Sequence, residues 1–245
     1  MEVPAVCHVH SEWSYDAKWP LATLGSKFSE RGCRVLMMTE HDRGFTAARW
    51  KQYRAACIQA SSDSLLVLPG MEYSDDANRV HVLVWGPVPF LGEGLPTGEM
   101  LNAVKDANGV AVLAHPSRKT VWEIFAPEWS DALLGIELWN RKYDGWAPSE
   151  TSPGLLRKAN ALPFVGLDFH SEKQMFPLTM VLDVEPPVSE NTVLDCLRAR
   201  RCSPHAFGLP LKQNLLGTVL PVLHMAERGR RTAARIVKRT GVVSR

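Results

Sequence analysis

Val3-Pro4-Ala5-Val6-Cys7-His8-Val9-His10 opens the chain with an apolar run that ends on two imidazoles. The run reads as a strand over 3–9. Residues two apart in an extended strand point to the same side, so His8 and His10 aim at one spot. A second pair, Asp168-Phe169-His170, follows an apolar run at 164–167. Between the pairs lie Asp16, Glu40-His41-Asp42, Glu72, His81 and His115-Pro116. This dispersed set of nitrogen and oxygen donors, with almost no sulfur, suits a catalytic site for several divalent metals rather than a structural zinc knot.

Outward from these pairs, runs rich in β-branched residues alternate with longer helix-like stretches. Strands are expected at 3–9, 35–39, 65–69, 80–85, 110–114, 134–138, 164–167 and 179–184. Helices are expected at 21–31, 46–61, 98–107, 154–161, 190–200 and 219–239. Strands that are apolar throughout are buried on both faces, as in a parallel sheet. The alternation of strand and helix gives an α/β fold, either a barrel or a doubly wound sheet. His10, His41, Glu72, His115 and Asp168 each fall at or just past an expected strand end. In a (β/α) barrel those ends converge on one mouth, whereas an open sheet spreads them along an edge. The donors therefore favour a barrel. His81 opens its strand instead, which predicts an antiparallel or irregular strand there. No repeat or linker divides the chain, so the reading is one catalytic barrel over 1–218 and a basic helix or tail over 219–245.

Composition sets outer bounds. At 245 residues the chain can bury a sizeable core, and 45% hydrophobic with 22% charged residues is ordinary for a globular protein. The start Met1-Glu2-Val3-Pro4 lacks the pattern of a signal peptide, and no apolar stretch approaches ~18 residues, so no membrane span is expected. Five scattered cysteines without a Cys-x-x-Cys predict reduced thiols in a cytoplasmic protein. The formal charge of +2 is uneven: residues 226–245 carry +6 and the remainder −4. The cationic end either docks on the acidic body, contacts nucleic acid or stays mobile.

Together, His8-Val9-His10-Ser11 with Asp16, Thr39-Glu40-His41-Asp42, Gly70-Met71-Glu72, His81-Val82-Leu83, Ala114-His115-Pro116, Glu137-Leu138-Trp139-Asn140 and Gly166-Leu167-Asp168-Phe169-His170 resemble, in order, the blocks of the PHP (polymerase and histidinol phosphatase) family of metal-dependent phosphoesterases. The resemblance covers roughly residues 5 to 172. It implies a distorted seven-stranded (β/α) barrel, TIM-barrel-like, holding two to three divalent ions. It implies that His8, His10, Glu72 and Asp168 hold a first metal, Glu72, His81 and His115 a second, and Asp16, His41 and His170 a third. Cys7 and Glu40 depart from residues usual in that family, and the short gap from Ser117 to Ile136 leaves no room for the inserted lid of some members.

The chemistry fits such a set. Two neighbouring metals lower the pKa of a bridging water toward neutrality (~7 on zinc) and clamp the attacking and leaving oxygens, so hydrolysis would run through a metal-bridged hydroxide. Mixed imidazole and carboxylate donors suit Zn, Mn or Fe. Charge on the phosphoryl oxygens calls for cations at the mouth, and Arg118 and Arg43 are the candidates, Arg118 as a bidentate clamp.

Other residues carry plainer alternatives. Asp168 at a strand end could instead cap a following helix. His205 and His224 read as packed or surface histidines. Glu137 either supports the site from behind its ligands or pairs with Arg141. Asp42 either orients His41 or caps its loop. Trp13, Tyr15, Trp139 and Tyr143 pack the barrel mouth or stack on a nucleobase. Cys7 is expected to face away from His8 as an inert thiol. The leading function is hydrolysis of a small phosphorylated metabolite or nucleotide. The alternatives are a nuclease acting on oligonucleotide or DNA ends, with the basic tail on the backbone, and a metal-binding module without catalysis.

Overall fold

The computed structural model describes residues 1–211 and 213–240, without the side chains of 213–219 and 238–240. Lys238, Arg239 and Arg245 of the basic tail thus lie outside the described side chains. The first half runs β1 (Glu2–Val9), α1 (Leu21–Ser29), β2 (Val35–Met38), β3 (Glu40–His41), α2 (Ala47–Ala60), β4 (Leu66–Leu68), β5 (Gly70–Ser74) and β6 (His81–Trp85). The second runs α3 (Thr97–Asp106), β7 (Val110–Leu113), β8 (Gly135–Asn140), α4 (Ser152–Ala159), β9 (Leu162–Gly166), β10 (Leu178–Asp183), α5 (Glu190–Arg198), β11 (Cys202–Ala206), β12 (Leu209–Pro210) and α6 (Gln213–Thr240).

The strands expected from their apolar runs are present, and β2, β6, β7 and β8 are buried at every position. Among the helices, α2 begins where the Thr46 side chain accepts a hydrogen bond from Arg49 N, and α5 begins at a capping box on Ser189. Two departures matter. β5 lies past the end of the strand expected at 65–69, and it carries Glu72 within a strand of its own. α6 begins at Gln213, six residues before the expected start, so it crosses the expected boundary at 218 and takes Pro221 into its interior.

Pairing yields two six-stranded sheets, ordered β12-β11-β10-β1-β2-β4 and β3-β5-β6-β7-β8-β9. The closed seven-stranded ladder expected from the resemblance is therefore not what the pairing draws. Thr39 separates β2 from β3, and Pro69, with no amide proton to donate, separates β4 from β5. The sheets meet along one seam. Val9 bridges to Phe169, Leu167 N donates to Cys7 O (3.0 Å), Phe169 N to His8 O (3.1 Å) and His10 N to Phe169 O (3.0 Å). β1 pairs parallel to β2, and β8 lies parallel between β7 and β9, while β6 runs antiparallel to both β5 and β7. β10 to β12 add an antiparallel extension on β1.

The core reaches up to the seam. Phe169, between two donor residues, is fully buried and meets Trp19 and Phe28 edge-on at 5.4 Å. Truncating such a ring costs about 3–5 kcal/mol, so packing anchors Asp168 and His170 through their shared neighbour. Among the described residues no helix is long and apolar enough to cross a membrane.

Candidate metal centre

The nine sequence-selected donors gather at one end of the strands. His8 is the last residue but one of β1 and His10 directly follows the strand; His41 ends β3; Glu72 sits in β5; His115 and Asp168 each lie two residues past β7 and β9. His81 joins them from the start of β6 because that strand is antiparallel: Ser74 pairs with His81, so the beginning of β6 lies where β5 ends.

Glu72 is the hub. Its buried carboxylate lies 3.5 Å from His8 Nε2, 3.4 Å from His10 Nε2, 3.0 Å from His41 Nδ1, 2.7 Å from His81 Nδ1 and 3.0 Å from His115 Nε2. Asp168 faces the same space, with oxygens 3.8 Å from His8 Nε2, 3.6 Å from His10 Nε2 and 3.7 Å from His115 Nε2. Asp16 joins His41 (3.4 Å) to His170 (3.1 Å) at the more open side. Three groups bring their donor atoms within 4.8 Å of one another: His8, Glu72 and His115; His8, His10 and Asp168; His10, His41 and His170.

The backbone bends to achieve this. His8 (φ 61°), His115 (φ 25°) and Asp168 (φ 50°) adopt left-handed conformations, and the register of β1 shifts between Cys7 and Val9. Simple alternation does not bring His8 and His10 to one point; a bulge at His8 re-aims it. Each such residue costs of order 1–3 kcal/mol, and such positions cluster at functional sites. Cys7 contacts the Met37 sulfur at 3.3 Å, and burial pushes its thiol up.

A layer behind the donors fixes their tautomers. Glu137, buried at the base of the site, accepts from His8 Nδ1 (2.8 Å), His115 N (2.7 Å) and Asn140 Nδ2 (2.8 Å). Of its two expected roles it takes support of the donors, while Arg141 instead lies over Phe176. Gly166 makes this possible, because a Cβ there would strike the Glu137 carboxylate and the His8 Cβ. His10 Nδ1 meets Ser14 Oγ (3.2 Å), which donates to Glu40 (2.5 Å). Glu40 also accepts from Ser11 N and Oγ. Both imidazoles thus present Nε2 to the cage, and His8 Nε2 and His10 Nε2 are buried without a hydrogen-bond partner. Buried orphan nitrogens are rare. Two of them aimed at paired carboxylates are what a cation site requires, so the residues fit divalent metals.

Burial alone would drive His8 and His41 down. Carboxylates outweigh it, holding His8 well above its ordinary value and His41 up at about 10. Burial and the neighbouring His41 and His170 rings push His10 well below its usual value. Burial would raise Glu72 and Asp168, yet the surrounding imidazoles, with Lys142 for Asp168, hold Glu72 well below the carboxylate range and Asp168 at about 2.

The proposed phosphate cations lie further out. Arg118 donates to Asn78 O (3.0 Å) and the Tyr143 hydroxyl (3.1 Å), at the rim beside His81. Arg43 lies over the Tyr15 ring (5.3 Å), which stacks on His41 (5.2 Å). Lys142 escaped the sequence reading: its Nζ is 3.1 Å from Asp168 Oδ1 and 3.3 Å from His170 Nε2. Its position directly after Asn140-Arg141, in a loop leaving β8, was the only signal. Asp42 anchors the backbone and hydroxyl of Ser74 rather than His41. Trp13 and Trp139 pack inward, the latter donating to Gly145 O. Tyr143 packs on His115 at 4.6 Å, and Tyr15 stays 62% exposed. His205 bonds with Ser203, and His224 lies 3.5 Å from Glu150 on the outer helix.

No family model and no curated protein matches the chain in sequence. Solved structures share its fold. A two-domain protein from Bacteroides vulgatus containing a predicted PHP-like metal-dependent phosphoesterase matches at TM-score 0.64 and 15% identity over 86% of this chain, which spans 66% of that protein's length. PsfC from Pseudomonas syringae matches at TM-score 0.63 and 15% identity, covering 95% of this chain and 99% of that one. The lesion-specific endonuclease Q from Pyrococcus furiosus matches at TM-score 0.58 and 14% identity, covering 81% of this chain and 56% of that one.

Proposed function

We infer that this chain, which carries the fold of the PHP-like metal-dependent phosphoesterases, is a metal-dependent phosphoric ester hydrolase. The observation that carries this reading is Glu72, a single buried carboxylate ringed by five imidazoles. Sequence blocks and fold point to the same family. We read β2 with β3, and β4 with β5, as two interrupted strands. With β1 and β6 to β9 they make a distorted ring of seven, and the hydrogen bonds between β1 and the end of β9 support its closure.

Two to three divalent ions, Zn, Mn or Fe, suit the donors. His8, His10, Glu72 and Asp168 would hold one, Glu72, His81 and His115 a second, and Asp16, His41 and His170 a third; of the donor groups within 4.8 Å, His8 with His10 and Asp168 falls inside this division, while His8, Glu72 and His115, and His10, His41 and His170, straddle it. Bound there, such ions would polarise a phosphoryl group and acidify an attacking water.

The remaining work falls to the chain. Glu137 and the Glu40–Ser14 pair hold His8 and His10 as Nε2 donors. Lys142, paired with Asp168 at 3.1 Å, would offer its ammonium to a phosphoryl oxygen at the same place. Arg118, held by Asn78 and Tyr143, offers a guanidinium at the rim for the same phosphate, and Arg43 a second cation beyond Tyr15. The five cysteines are free, which suits a reducing, cytoplasmic compartment.

A small phosphorylated metabolite or nucleotide is the proposed substrate. A nuclease acting on oligonucleotide ends is the second reading. It is favoured by the exposed arginines of α6, and endonuclease Q of similar fold is known with an abasic duplex at its active site. Turnover of p-nitrophenyl phosphate, mononucleotides and single-stranded DNA by Mn- or Zn-loaded protein tests these together. Metal-dependent turnover that a chelator abolishes is expected. Metal binding without hydrolysis of any of them would leave only a metal-binding module.

A further inference from the structure

Beside the metal centre lies a cleft of about 400 Å³ between α6 and the loop after β8. Its inner wall is Ser117, two residues past His115, and Tyr143, whose ring packs on His115 at 4.6 Å. Its outer wall is Trp122, 41% exposed, with His224, Arg228 and Arg231 of α6. Ser117 and Tyr143 thus place the cleft next to His115, and the C-terminal helix forms one of its sides.

The helix is held there by specific contacts. Glu227, buried on the inner face of α6, accepts from Trp146 N (3.0 Å), Arg230 (2.6 Å) and Arg231 (2.6 Å). Arg231 also donates to the carbonyls of Tyr143 (3.1 Å) and Asp144 (3.0 Å). Gly145 (φ +79°) lets this close approach occur, because a Cβ there would overlap the Glu227 carboxylate. Arg231 is thus committed to the helix anchor. Arg228 is exposed on the cleft wall and, among the described residues, makes no hydrogen bond or ion pair. The cleft combines the exposed Trp122 ring and the Tyr143 ring, which His115, Arg118 (5.9 Å) and Lys142 (5.6 Å) also approach, with the Arg228 guanidinium, chemistry that holds a nucleobase by stacking.

We propose that this cleft is a nucleoside pocket: the phosphate of a nucleotide lies at the metal centre, and its base enters the cleft against Trp122 and Tyr143, with Arg228 on its face or edge. The proposal rests on the phosphoesterase reading and adds to it the substrate class. It also gives α6 a part in selectivity that its basic composition alone does not define. A free mononucleotide and the last residue of a nucleic-acid chain present the same chemistry.

The test is equilibrium binding to the full-length, metal-loaded chain, comparing AMP, ribose 5-phosphate and a deoxyadenylate tetramer, alongside hydrolysis of p-nitrophenyl phosphate. AMP or the tetramer is expected to bind at least about tenfold tighter than ribose 5-phosphate, and whichever binds more tightly identifies the source. In the double variant Trp122→Ala, Arg228→Ala that preference should collapse, while Arg235→Ala, on the same helix, should keep it. Equal binding of AMP, tetramer and ribose 5-phosphate by the wild-type chain overturns the pocket, as does a preference that the double variant retains. If base-dependent binding is seen but no phosphoester is hydrolysed, the pocket stands and the phosphoesterase reading fails. If p-nitrophenyl phosphate is hydrolysed and the base adds nothing to binding, the pocket alone fails.

Discussion

His8 Nδ1 donates to Glu137 Oε1 across 2.8 Å, in the space that Gly166 leaves by having no side chain. That bond decides which nitrogen of His8 faces the cage. Glu137→Gln keeps the volume and weakens the acceptor, so metal affinity should fall about 10–100-fold with the fold retained. Elemental analysis after dialysis against graded chelator checks it, and unchanged retention would remove Glu137 from the site's support.

Lys142 and Asp168 form an ion pair at 3.1 Å in the heart of the cage. Asp168→Asn should lower bound metal, and Lys142→Ala should leave metal content intact while cutting turnover by about tenfold or more, as for loss of one charge-stabilising group. Metal content and kcat measured on both variants separate the two roles. Loss of metal in Lys142→Ala would reassign the lysine to structure.

For Arg118→Ala the expectation is a KM raised about tenfold at constant metal content, since a bidentate charge-assisted contact would be lost. Kinetics on p-nitrophenyl phosphate settle it, because unaltered KM would leave Arg118 as a tie between Asn78 and Tyr143.

Metal loading should expel protons. Burial opposes but does not prevent the carboxylates from holding His41 up at about 10 and His8 well above its ordinary value. The His41 ring is therefore protonated at neutral pH and must lose that proton to bind a metal, and the carboxylates around His8 favour its proton in the same direction. Affinity should rise with pH through the neutral range, by up to about tenfold per pH unit for each proton released. Calorimetric titration in buffers of different ionisation enthalpy counts the protons, and a heat independent of buffer would contradict the assignment.

Glu227 carries the pH dependence of the helix. Burial would raise it, but Arg230 and Arg231 hold it at about 2 against an ordinary 4.5. A carboxylate depressed in the folded state stabilises docking fully above about 4.5 and loses that contribution as pH falls toward 2. Hydrogen exchange across α6 should accelerate over that acid range and, at neutral pH, in Glu227→Gln. Equal protection in both proteins would show that Leu223 and its apolar neighbours hold the helix unaided.

Much of this centre was legible because donors at strand ends keep their positions whatever the details of pairing. His10, His115 and Asp168 needed only an apolar run and its end. What stayed hidden depended on three-dimensional neighbours. β5 lay behind Pro69-Gly70, a pair that reads as a turn until β6 pairs alongside it. The bulge at His8 has no signature in a sequence read by alternation. Lys142 gains its meaning from Asp168, 26 residues away. The start of α6 was obscured because Gly217 and Pro221 interrupt its helical pattern.

The left-handed backbone at His8, His115 and Asp168 sets a standing conflict between robustness and chemistry. Glycine at any of the three would relax the chain and remove a donor in the same stroke. Any breeding scheme that rewards heat tolerance alone should therefore erode this centre first, leaving a sturdier molecule with an emptied heart.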